Sequence, residues 1–127
     1  MRARGILFLS LFVVTAQAPP AFAAEPGLEA FLGTREGRWD DRVNTTLVVE
    51  KIEGTKALVT YRRDGYPRLR LAPIDVKATG RFLDNTTLKV TSPGRGPITY
   101  VLTPAGSLAA ETISSDGSVA RATMRKQ

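Results

Sequence analysis

Short segments of alternating polar and apolar residues, separated by turn-forming residues, fill most of the chain. The first of these segments contains Gly37-Arg38-Trp39 with the single tryptophan, and turn signals such as Asp64-Gly65 follow at roughly ten-residue intervals. This spacing predicts an all-β fold in which about eight strands form an antiparallel up-and-down meander, closed or nearly closed into a barrel. The predicted strands are 34–40, 44–53, 57–63, 74–82, 87–92, 98–103, 107–114 and 119–125.

Alternation within the segments predicts which side chains face the barrel interior. In segment 44–53, Thr45, Leu47 and Val49 share one face, and the change of phase before Ile52 predicts a β-bulge. A closed barrel has no exposed sheet edge, and about eight strands leave an interior that side chains fill or that holds one small ligand. Three further groups are expected to share one face of their strands: Ala57, Val59 and Tyr61; Ile74, Val76, Ala78, Gly80 and Phe82; and Ile98, Tyr100 and Leu102.

The segment between the third and fourth predicted strands is less regular. Pro67 and Pro73 bracket an alternation of arginine and leucine at 68–71. Proline is tolerated at the edge of a sheet but not in its middle, because it cannot donate a backbone hydrogen bond. The pattern therefore predicts an extended edge or a flap.

Residues 1–23 are predicted to be a cleaved signal peptide. Arg2 and Arg4 give this segment a basic start, the stretch 6–14 is apolar apart from one serine, and small residues precede the predicted cleavage site after Ala23. The apolar stretch is shorter than the roughly 20 residues that a membrane-spanning helix needs. We expect a mature protein that is periplasmic or secreted, without a membrane span.

A short helical turn is predicted at 28–32, within a lead-in of residues 24–33, because its apolar residues are spaced as on one helical face. This apolar face is expected to plug one end of the barrel. The remaining residues, 34–127, are predicted to form a single β-barrel domain.

The residue inventory excludes several kinds of chemistry, because the chain contains no cysteine and no histidine. A catalytic triad with histidine, a Cys–His nucleophile, a zinc or copper site with His or Cys ligands, and haem with such an axial ligand are all ruled out. We expect neither an enzyme, nor a metal site, nor a cofactor. Nucleic acid is not an expected partner either, since the formal net charge is only +6 and the basic residues are dispersed.

Gly37-x-Trp39 after a short helical turn, the eight-strand meander and the basic residues of the last strand together resemble the calycin-type barrels, the group of the lipocalins and avidins. The resemblance implies a structural role for Gly37 and Trp39, with the tryptophan closing the base of the barrel. It further implies that a late arginine packs over the indole ring, with Arg125 as the first candidate and Arg121 as the second. Ligand-binding residues would then lie at the opposite end of the barrel.

The chain also resembles an uncharacterised group of small exported bacterial domains. Three segments carry this resemblance: Val-x-x-Ile-Glu-Gly at 49–54, Val-Thr-Tyr at 59–61 and Tyr-x-Leu-x-Pro-x-Gly-x-Leu at 100–108. This second resemblance implies a fold and no activity.

Basic and aromatic residues are densest in segment 61–70. The segment is predicted either as a solvated hairpin and flap or as a rim that recognises a carboxylate or phosphate group. Two tyrosines within predicted strands either pack in the core or present their hydroxyl groups to a cavity. The candidate ligand-binding residues are Tyr61, Arg63, Tyr66, Arg68 and Tyr100.

These observations predict a non-enzymatic exported β-barrel that binds a small apolar or anionic molecule. The alternative is a structural or interaction module that docks on another cell-envelope protein, with strand edges around 67–73 as the contact surface. A small-molecule ligand and an envelope protein are thus the two expected kinds of partner.

Overall fold

Eight antiparallel strands close into a barrel in the computed structural model, which describes residues 27–91 and 96–127. Each strand pairs with its neighbours in the chain, and the first strand pairs with the last. The predicted all-β, up-and-down barrel is therefore confirmed, while the predicted signal peptide lies outside the described residues. The strands are β1 (Gly33–Trp39), β2 (Val43–Glu53), β3 (Lys56–Arg63), β4 (Ile74–Asp84), β5 (Thr87–Thr91), β6 (Ile98–Leu102), β7 (Leu108–Ile113) and β8 (Val119–Lys126).

The core fills the barrel interior through alternation along each strand. On β3 the inward residues Ala57, Val59 and Tyr61 are all buried, because successive side chains of a strand point to opposite faces. The register of β2 shifts between Val49 and Lys51, which confirms the predicted bulge. This shift lets the apolar residues on both sides of the bulge face the same interior.

Strand β1 closes the barrel by pairing with β8. Glu36 lies opposite Arg125 in this pair, and directly after the end of β1 the Asp40 N–H donates to the carbonyl oxygen of Arg121 at 2.8 Å. These contacts remove the free edges that an open sheet would expose. We refer to this pairing of β1 with β8 as the seam.

Gly37 occupies the tightest position of the seam. A Cβ atom at Gly37 would overlap the carbonyl oxygen of Thr123 and would lie 2.8 Å from the Sδ atom of Met124. Glycine within a strand commonly marks such a close approach of another backbone. The absence of a side chain at Gly37 therefore permits the two terminal strands to meet.

A 3-10 turn at Leu28–Phe31 plugs the end of the barrel at which β1 begins. Leu28 and Phe31 are buried, and the ring of Phe31 packs edge-to-face against Phe82 with 5.0 Å between the ring centroids. The predicted plug is thus formed, but the turn is one residue shorter than predicted. The backbone is already extended at Leu32, so this side chain stays 36% exposed.

Arg35 fastens the plug to β1. Its side chain is only 2% exposed, and it donates from Nη1 to the Phe31 carbonyl at 3.0 Å and from Nη2 to the Ala30 carbonyl at 2.8 Å. Burial lowers the pKa of Arg35 from its ordinary value, yet a guanidinium stays protonated in proteins. The carbonyl oxygens at the end of the turn therefore stabilise the positive charge of Arg35.

The segment between β3 and β4 is a compact flap and not an extended edge. Pro67–Leu69 form a single 3-10 turn, Arg70 follows with a left-handed backbone at φ 55°, and Tyr66 pairs with Leu71 across the turn. Of the two predicted alternatives, the structure shows the flap and not the edge, since all eight described strands are paired on both sides. No helix in the described part of the chain is long and apolar enough to cross a membrane.

Replacing Gly37 by alanine is expected to lower the free energy of unfolding by about 2 kcal/mol, because the added methyl group forces the seam apart. Urea denaturation measures the difference from the parent. Ala109→Val is a matched control at an exposed position of β7, and its effect should stay within about 0.5 kcal/mol. A Gly37→Ala protein as stable as the parent would contradict the close approach.

Candidate functional site

The end of the barrel opposite the plug contains a cavity of about 460 Å³. Strand β1 begins at the plug and ends at this cavity with Trp39. The volume lies within the range of about 300–1,000 Å³ that is usual for small-molecule sites. Aliphatic side chains make up much of the wall: Val43, Ile74, Val90, Ile98, Val119 and Ala120.

Two hydrogen-bonded aromatic residues form a buried part of this lining. Trp39 is 6% exposed and Tyr61 is 5% exposed, and the indole Nε1–H donates to the Tyr61 hydroxyl oxygen at 3.0 Å. The bond satisfies the only polar group of the indole. The hydroxyl proton of Tyr61 remains able to donate to a further acceptor. We call this pair the aromatic wall.

The position of Trp39 corrects two implications of the calycin resemblance. Trp39 lines the same cavity as Tyr61, so the tryptophan does not close a base opposite to the candidate ligand residues. Arg125 does not pack over the indole ring either, because Met124 faces the core and its neighbour Arg125 is exposed on the outer face. Arg121 also faces outward and forms an ion pair with Glu111 at 3.1 Å.

The guanidinium of Arg63 lies in the cavity lining, and no described carboxylate neutralises its charge. Its Nη2 donates to the Ala72 carbonyl at 2.7 Å, which ties the side chain to the flap. Its Nε is shielded from solvent and has no partner among the described residues, and no described carboxylate oxygen lies within 4.0 Å of it. Its neighbour Arg62, in contrast, points outward and pairs with Asp75 at 3.3 Å.

The other candidate residues from the sequence lie outside the cavity lining. Tyr66 is half-buried against the core, and Arg68 is exposed on the flap. Tyr100 is fully buried, and its hydroxyl group has no partner among the described residues. Burial, and secondarily the nearby Tyr61, raise the pKa of Tyr100 well above its ordinary value. The structure thus brings together Tyr61 and Arg63 of the five candidates.

Several lining residues were not expected from the sequence. The three-residue turn between β1 and β2, with Asp40 and Asp41 at φ 50° and 59°, brings Arg42 and Asp40 to the cavity. Ser114 and Ser118 line it from the ends of the last hairpin. Alternation alone could have indicated Trp39, because it lies on the inward face of its strand. The turn residues carry no comparable signal.

The cavity lining can surround an apolar body and can also offer hydrogen bonds to a polar end. Its aromatic and aliphatic walls are hydrophobic, while Arg63 and Arg42 are donors. The hydroxyl groups of Thr112 and Ser118 already donate to neighbouring oxygen atoms, so they can only accept further hydrogen bonds. No group of three or more acidic residues that could hold a metal ion occurs within 27–91 and 96–127. The cavity therefore combines a largely apolar wall with a few polar groups at its rim.

Tyr100→Phe is expected to match the parent in stability near neutral pH, or to exceed it by up to about 1 kcal/mol, since it removes a buried hydroxyl group without a described partner. Because the pKa of Tyr100 is raised in the folded state, the parent should lose stability above about pH 10, where only the unfolded chain releases that proton. The advantage of the variant should therefore grow with pH.

Urea denaturation of both proteins at neutral pH and near pH 11 measures this advantage. It should be larger near pH 11 by about 1.4 kcal/mol, because that pH lies about one unit above the pKa of an unfolded tyrosine. The neutral-pH pair serves as the reference for any packing change. An advantage that stays constant with pH would contradict the burial of the Tyr100 hydroxyl group.

The fold and the cavity stand without a recognised relative. No protein-family model, no curated protein and no solved structure matches the chain significantly. The strand pairing alone therefore identifies the fold, and the cavity is the feature of the barrel that bears on function.

Proposed function

We propose that the chain is an exported, calycin-like β-barrel that binds a small amphipathic molecule without changing it chemically. The observation that carries this proposal is the cavity of about 460 Å³, which is lined by aromatic and aliphatic side chains at the end opposite the plug. Largely apolar pockets with a few convergent polar groups are the usual form of small-molecule sites.

Export is the second part of the proposal. The basic start at Arg2 and Arg4, the apolar stretch 6–14 and the small residues before Ala24 support a periplasmic or secreted location. Sequencing of the mature amino terminus tests this part, and a mature protein that still begins at Met1 would contradict it.

The size of the cavity limits the ligand. At about 30 Å³ for each water-sized unit, the cavity of about 460 Å³ corresponds to roughly 15 non-hydrogen atoms. A ligand of this size that buries on the order of 250 Å² of apolar surface gains about 6 kcal/mol. Association costs offset part of this gain, so we expect dissociation constants in the micromolar range or weaker.

The neutral apolar dye N-phenyl-1-naphthylamine is expected to bind the cavity, and its fluorescence should rise on addition of the mature protein. Ala120→Phe should weaken this binding by about tenfold or more, because Ala120 lines the cavity and a phenyl ring there would fill space that the dye needs. A fluorescence titration measures both dissociation constants.

Ala109→Phe is the matched control, since it places the same ring on the exposed face of the neighbouring strand. It should leave dye binding unchanged. Equal loss of binding in both variants, or no binding by the parent, would contradict the cavity as the binding site. Failure of the parent to bind would favour the alternative of a module that docks on another envelope protein.

A further inference from the structure

Two adjacent arginines on β3 have opposite surroundings. Arg62 faces outward and is neutralised by Asp75, with 3.3 Å between Nε and Oδ2. Arg63 lines the cavity, and its only hydrogen bond to a described residue goes from Nη2 to the neutral carbonyl of Ala72. The barrel therefore carries a positive charge at its cavity that the described residues do not compensate.

A charged group beside an apolar cavity is unfavourable unless an opposite charge and hydrogen bonds accompany it. The Nε–H of Arg63 is shielded from solvent and lacks a described partner, so a molecule in the cavity would reach the guanidinium through its Nη groups. The hydrogen bond to Ala72 holds the guanidinium in place. The other N–H groups on Nη1 and Nη2 remain able to donate to a ligand.

The other charges of the lining do not supply the missing partner. Asp40 lines the cavity, but its Oδ1 accepts the backbone N–H of Arg121 at 3.1 Å, which holds the carboxylate at the seam. Arg42 adds a second cation to the lining and is exposed. The net charge that the described lining presents is therefore positive.

We propose that the ligand is an amphipathic carboxylate and that Arg63 is the residue that selects its head group. The inference rests on the proposed binding function and adds the charge and orientation of the ligand. A guanidinium and a carboxylate match in geometry and form paired charge-assisted hydrogen bonds. Tyr61 lies two residues before Arg63 on the same inward face, so the apolar chain of the ligand runs from Arg63 toward the aromatic wall.

The test compares decanoate, 1-decanol and decylamine, which share one chain and differ in head-group charge at neutral pH. Displacement of N-phenyl-1-naphthylamine measures the three dissociation constants. Decanoate should bind the parent, and Arg63→Gln should weaken decanoate by about tenfold or more while changing 1-decanol by less than about twofold. Arg63→Lys should recover part of the loss, because it retains the charge without the fork of donors.

Arg62→Gln is the matched control, since it removes the neighbouring charge on the outer face. It should leave all three affinities unchanged. The inference is overturned if Arg63→Gln weakens 1-decanol as strongly as decanoate, if it changes neither, or if decylamine binds the parent more tightly than decanoate. Binding of the dye and of 1-decanol without decanoate would overturn the inference alone, whereas no binding by any compound would overturn the proposed function as well.

Discussion

The close approach of β1 to β8 at Gly37 is the constraint on which the barrel depends. Eight strands enclose one interior only if the first pairs with the last, and the carbonyl oxygen of Thr123 occupies the space that a side chain at position 37 would need. Closure pairs every described strand on both sides and removes the inward side chains from water. The plug, the core and the cavity all depend on this seam, because each lies inside the closed barrel.

The two ends of the barrel differ because the chain itself fills only one of them. Phe31 and Leu28 enter the interior from the lead-in, and Arg35 binds the carbonyl groups that end their turn. At the other end the flap contributes Leu69 and Leu71 to the wall and leaves the cavity between them and the aromatic wall. The asymmetry leaves the cavity at the end at which β1 terminates.

The strands and their inward faces were predictable because alternation and turn residues are local signals. The height of a residue along the barrel depends on the stagger between strands, so the sequence did not reveal that Trp39 and Tyr61 share one wall. Alternation places Arg125 on the outward face, because its neighbour Met124 faces inward. The calycin resemblance implied the opposite orientation for Arg125, and that implication was wrong. The sequence left an edge strand and a flap open between β3 and β4, and the left-handed backbone at Arg70, which the alternation does not indicate, produces the flap.

The most direct test of this account is the closure of the seam in solution, measured by nuclear magnetic resonance on the mature protein. Closure predicts nuclear Overhauser effects between the backbone protons of Glu36 and Arg125, which lie opposite each other. It also predicts slow hydrogen exchange of the Asp40 amide, which donates across the seam to Arg121. Absence of these Overhauser effects together with fast exchange at Asp40 would show an open sheet and would contradict the account.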